Sequence, residues 1–168
     1  MEHVKRVPQH GAVDDYFIEI CTMALKNGDK TRAQGILERI IGHTGNKVPD
    51  LSEQLAQSYK TDGLYTKAYK YFFKSMNAAE IAFCLSKVME SGYESEQELF
   101  VARTVLDVLA KAKDKDLTNA KIVRNHFSNL KLTLQDGTQV TPPVLNFIDF
   151  LFAAIEFDDF ALVKQMAG

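Results

Sequence analysis

The sequence predicts an all-α fold: a right-handed α-solenoid of paired helices, with one small β-hairpin inserted near residues 131–141. Three observations carry this. Apolar residues recur at helical spacing along nearly the whole chain, separated by short breaks. Helix–Gly–helix units centre on Gly28, Gly63 and Gly92, 35 and then 29 residues apart. The stretch LTLQDGTQV, residues 132–140, alternates apolar and polar residues about Asp136-Gly137, a hairpin signal in an otherwise helical chain.

The elements follow in order. Val13, Phe17, Ile20, Cys21, Ala24 and Leu25 form a helical stripe that ends at Asn27-Gly28. Asp29 is placed to cap the next helix, whose apolar face is Ala33, Ile36, Leu37, Ile40 and Ile41, with Gly42 and Gly45 breaking it. Asp50 and Glu53 have capping-box spacing ahead of Leu55 and Tyr59, with Leu51 on the same stripe. Asp62-Gly63 turns the chain into a helix with Tyr65, Ala68, Tyr69, Phe72 and Phe73. Asn77 with Glu80 opens a helix through Ile81, Ala82, Leu85, Val88 and Met89, closed by Gly92. Ser95 with Glu98 opens a long one through Leu99, Ala102, Leu106 and Leu109. Lys111–Asp116 is a charged break, and Thr118 is the expected cap for Ile122, Val123, His126 and Phe127. After the hairpin, Pro142-Pro143 suits a first helical turn, where a missing N–H costs little. That helix carries Val144, Phe147, Ile148, Leu151, Phe152 and Ile155. Asp158 or Asp159 starts a last one with Leu162, Val163 and Met166, which makes about nine helices.

Composition narrows the function. The 168 residues suit a single domain, 1–168, and are 46% apolar and 25% charged, which excludes a disordered chain. A net charge of −2 lacks the basic footprint of a nucleic-acid binder. The most apolar run, VLNFIDFLFAAI (144–155), is about twelve residues long and is broken by Asn146 and Asp149, so it is too short to span a bilayer. The polar N-terminus lacks a signal peptide's apolar run, and the expected location is the cytosol. Cys21 and Cys84 sit in apolar helical patterns and read as reduced, buried thiols.

Catalytic signals are missing. His3, His10, His43 and His126 do not pair at ligand spacing with another His, Cys or acid. GHTGNK (42–47) lacks the P-loop spacing and follows a helix. Asp114, Asp116, Asp158 and Asp159 are explained by helix starts. The expectation is therefore no enzyme, no metal and no cofactor. The middle unit, LAQSYKTDGLYTKAYKYFF, matches the tetratricopeptide pattern at Leu55, Tyr59, Gly63, Tyr65, Ala68 and Phe72, so the helix pairs are expected to be tetratricopeptide-like. Phe150 lies off the single stripe expected to carry Phe147 and Ile148: it packs on a following helix or marks an exposed apolar patch.

A family resemblance sharpens this. GYESEQELFVARTVLDVLA (92–110) resembles a segment of the Golgi-to-ER traffic protein four family, through Gly92-Tyr93, Ser95-Glu96, Phe100-Val101-Ala102 and Val105-Leu106. PPVLNFIDFLFAAI (142–155) is similar to that family's Leu-Asn-Phe helix at Leu145, Asn146 and Phe147, and YKYFFKS (69–75) to its aromatic-rich helix. The resemblance covers roughly residues 50–164 and implies the C-terminal half of a longer architecture or a shortened member. It implies a non-enzymatic adaptor for tail-anchored protein targeting, bridging a targeting ATPase to a ubiquitin-like-domain partner, or in animals to a scythe-type scaffold. The ATPase contact lies largely in the family's other half. The partner docks near a hairpin inserted between helices, and LTLQDGTQV falls at that place. The expected docking residues are Leu132, Leu134, Val140, Val144, Phe147 and Phe150. The alternative is a generic tetratricopeptide-like interaction module or co-chaperone, for which Lys67, Lys70 and Lys74 share one helix face.

Overall fold

The structure is a computed structural model, and it describes residues 19–20, 22–26, 28–44, 49–93 and 96–158. Residues 22–26 are helical, and seven bounded helices follow: α1 (Lys30–Thr44), α2 (Pro49–Thr61), α3 (Tyr65–Ser75), α4 (Ala78–Met89), α5 (Gln97–Lys111), α6 (Thr118–His126) and α7 (Pro143–Glu156). Between α6 and α7 lies an antiparallel pair, β1 (Leu132–Thr133) and β2 (Gln139–Val140). The protein is mostly helical with one small sheet, as its sequence predicts. Val13, Phe17, Cys21, Gly45, Ser95 and the expected last helix lie outside the described residues.

Helix boundaries follow local chemistry. The Asp29 carboxylate accepts from the Arg32 N–H at 3.1 Å, ahead of α1. That helix runs through Gly42 rather than breaking there, and Gly42 meets nothing that a Cβ would disturb. Asp50 does not cap α2: the helix begins at Pro49, whose missing N–H suits N1, and Asp50 joins the first turn as an acid favoured by the helix dipole. Gly63, at φ 74°, takes the left-handed turn that ends α2, and the Leu64 N–H reaches back to the Tyr59 carbonyl at 2.9 Å. Asn77 caps α4 as expected, accepting from the Glu80 N–H at 3.3 Å, and its amide donates to Glu53 on α2 at 2.7 Å. Thr118 is the first residue of α6 rather than its cap, and Asp116 accepts from the Thr118 N–H at 2.9 Å.

The helices pack in chain order. Successive helices touch from α1 to α6, and α4–α6 and α5–α7 pack as next-but-one neighbours. Side chains supply the remaining links. Tyr71 of α3 donates to Glu38 of α1 at 3.2 Å, Lys60 of α2 pairs with Glu80 of α4 at 2.6 Å, and Tyr69 of α3 bonds Thr104 of α5 at 3.0 Å. Arg124 of α6 pairs with Asp149 of α7 at 2.7 Å. One connected apolar core runs from Leu37 to Phe152, with Leu55, Phe72, Ile81, Val105, Val123, Leu145 and Ile148 fully buried. Among the described residues, no helix is long and apolar enough to cross a membrane.

The core corrects several sequence expectations. Ile36 and Ile122 face solvent. On α5, Leu99 is 58% exposed and Leu106 is exposed too, while Val101, Ala102, Val105 and Val108 are buried. This helix has two apolar sides, and the compact, β-branched side is the inner one. Cys84 is buried, and burial pushes its thiol up to about 11, which suits an inert core residue.

Candidate partner-docking site

The hairpin is built by three local features. Its register pairs Leu132 with Val140 and Thr133 with Gln139. Beyond them the Leu134 N–H donates to the Thr138 carbonyl and the Gly137 N–H to the Leu134 carbonyl, both at 2.9 Å. These bonds close a three-residue loop, Gln135-Asp136-Gly137, that ends in Gly137 at φ 82°, where a side chain would be strained. Asp136 accepts from the Thr138 N–H at 2.9 Å, and the Thr138 backbone and hydroxyl hold its carboxyl below the usual range. At the base, Lys131 donates to the Thr141 hydroxyl at 3.1 Å.

Pairing sorts the apolar residues. Leu132 and Val140 oppose each other and are half-buried, while Thr133 and Gln139 face solvent. Leu134 returns to the face of Leu132 but lies past the paired residues and is 43% exposed. Fully buried Pro142 ends β2's connection, Pro143 starts α7, and Leu145, Ile148 and Phe152 drive that helix into the core. Val144 turns to the core as well, so it adds little to an open surface.

Phe147 and Phe150 are each 38% exposed. They stand three residues apart on one helix side, away from Ile148. The expected split between the two is thus reversed: Phe147 leaves the core stripe and joins Phe150. The structure therefore brings together two sets, Leu132 with Val140 across the strands and Phe147 with Phe150 along α7, with Leu134 at the loop. Sequence reasoning missed Leu99, Phe100 and Leu106 as exposed residues of α5. Its signal was there, because α5 carries apolar residues on more than one side.

Among the described residues, no group of three or more His, Cys, Asp or Glu side chains is arranged to hold a metal. Both described histidines, His43 and His126, are exposed.

Comparison with known proteins points to one family. The model of the Golgi to ER traffic protein 4 family matches residues 27–166. The Golgi to ER traffic protein 4 homolog of Oryzias latipes is 30% identical over 109 residues, which cover 64% of this chain and 33% of that protein. The Homo sapiens homolog is 29% identical over 109 residues, covering 64% and 32% respectively. The Gallus gallus homolog is 35% identical over 65 residues, covering 39% and 20%. The match spans about a third of the length of the first two relatives. No solved structure matches the chain.

Proposed function

The chain belongs to the Golgi to ER traffic protein 4 family, and on that premise we propose that it is a non-enzymatic adaptor in the cytosolic targeting of tail-anchored membrane proteins to the ER. The observation that carries this reading is the family match over residues 27–166. The adaptor bridges a ubiquitin-like-domain partner, or a scythe-type scaffold in animals, to the targeting ATPase. By the resemblance the ATPase contact belongs largely to the N-terminal half of the family's architecture, whereas this chain resembles the C-terminal half. The scaffold is a right-handed α-solenoid of tetratricopeptide-like pairs. The packing of each helix on its next and next-but-one neighbours supports that reading.

The ubiquitin-like domain docks on the hairpin and the exposed side of α7. Supporting this are partly exposed apolar side chains on both elements, Leu134 on the hairpin and Phe147 and Phe150 on the helix that follows it, and a hairpin of this size needs a neighbour to be stable. Leu132 and Val140, paired across the strands, and Val144, packed against the core, complete the proposed docking set. The test is calorimetric titration with the purified ubiquitin-like domain of the pathway partner. Leu134→Asp combined with Phe150→Asp is expected to weaken binding at least about tenfold, since buried apolar anchors dominate interfaces. Both residues are already partly exposed, so the melting temperature should hold. Unchanged affinity in the folded variant would remove the hairpin and α7 from the interface.

A further inference from the structure

A second surface lies on α3 and the end of α5, elements that take no part in the proposed hairpin site. Lys67, Lys70 and Lys74 stand at three- and four-residue spacing along one side of α3, Lys67 and Lys70 exposed and Lys74 half-buried. Lys111, from the last turn of α5, joins them and sits 3.8 Å above the Phe73 ring. None of the four forms an ion pair among the described residues.

Their positions are set by aromatic rings. Lys67 lies 5.0 Å from the Tyr59 ring centre, and Lys70 and Lys74 lie 5.6 and 5.4 Å from that of Tyr71. The two tyrosines stack at 5.9 Å, and both donate their hydroxyls to Glu38, at 2.8 and 3.2 Å. Both bonds fall on the same Glu38 oxygen, Oε1. Burial lowers the Lys111 ammonium from its ordinary range, the Asp107 carboxylate opposes that, and the nearby Lys74 adds to it. Like charges spaced this way along a helix repel. The chain as a whole carries −2, so this ridge is a local excess of positive charge.

We propose that the Lys67–Lys70–Lys74 ridge, extended by Lys111, docks an acidic, extended segment of a partner protein, with alternate carboxylates seated on successive ammonium groups. Lys67 to Lys74 spans about 10 Å along the helix, at 1.5 Å per residue. Carboxylates at every second residue of an extended chain lie about 7 Å apart, so two such steps cover the ridge within the reach of flexible lysines. The ridge is a narrow row of four ammonium groups, which favours a single extended chain over a broad anionic bilayer.

Fluorescence anisotropy tests this with a labelled decapeptide of alternating Glu and Ser, at about 50 mM salt, where screening is weak. The protein carrying Lys67→Gln, Lys70→Gln and Lys74→Gln is expected to bind at least about tenfold more weakly, the sum of three ionic contacts. A protein carrying Lys26→Gln, Arg32→Gln and Lys113→Gln, with the same net charge, is expected to keep most of its affinity. The proposal is overturned if the two triple variants weaken equally, or if the unaltered protein does not bind. It is also overturned if the lysines act only as covers for the rings, in which case the ridge variant melts lower with its affinity unchanged. Binding to vesicles containing phosphatidylserine but not to the peptide would overturn it in favour of a membrane.

Discussion

At the scale of single residues, the Tyr59–Tyr71 pair shows how a half-polar side chain becomes part of a core. Both rings are buried, and both hydroxyls keep a partner in Glu38. Burial is the largest influence on each phenol, and the carboxylate acts in the same direction. Tyr71 is pushed up to about 12 and Tyr59 is raised further. The fold therefore favours the neutral phenols. The stability they contribute is fully present below the unfolded value near 10 and is lost as pH rises from there through the folded values. Urea midpoints measured from pH 8 to 12 should fall steeply above about 10 in the natural protein, and less steeply with Tyr59→Phe and Tyr71→Phe together. Lysine deprotonation falls in the same window but is common to both proteins. Parallel curves would show that Glu38 and burial do not bind the phenolic protons. At neutral pH the double variant should be less stable by about 1–3 kcal/mol, from the lost hydrogen bonds to a carboxylate.

At the scale of elements, the hairpin was legible because its turn chemistry is local. Asp136-Gly137 dictates a loop that needs one left-handed residue, and Gly137 supplies it at φ 82°. A Cβ on Gly137 would have no other atom within 4 Å, so a substitution there meets strain and no clash. Gly137→Ala should therefore destabilise the hairpin by about 1 kcal/mol. Limited proteolysis should cut more readily within 131–141, with the helices keeping their circular dichroism; an unchanged cutting rate would show that α6 and α7, rather than the loop, fix the hairpin. The helices were legible as elements for a similar reason, but their inner faces were less so. Periodicity gives the angle between apolar residues and leaves open which of two apolar sides is buried. On α5 the choice fell to Val101, Val105 and Val108 over Leu99 and Leu106, and on α7 to Ile148 and Phe152 over Phe147. Neighbouring helices decide this, and no window of one helix contains them. Asp50 and Thr118 were misplaced by a position or more because a cap and a first-turn residue share the same residue types.

At the scale of the molecule, the order of packing makes a prediction about cooperativity. Every substantial helix–helix contact among the described residues joins a helix to its next or next-but-one neighbour. The apolar core is continuous from Leu37 to Phe152, and the substantial contacts among the described residues link its two ends through the helices between. Stability in such a chain is close to a sum of unit and neighbour terms, so damage at one end need not reach the other. Leu145 of α7 is fully buried against this core. Leu145→Ala removes its packing and should cost about 2–5 kcal/mol at that end. Native-state hydrogen exchange should then show faster opening of α7 and of α5 and α6, which pack on it or bond to it, while α1 and α2 keep the protection of the unaltered protein. A compact bundle with a single cooperative core would behave differently, because every slowly exchanging amide would lose protection by the same factor. Uniform loss in Leu145→Ala would therefore count against the solenoid. A graded loss, greatest in α7 and fading toward α1, would identify the chain as a row of helix pairs in which damage at the hairpin end stays local.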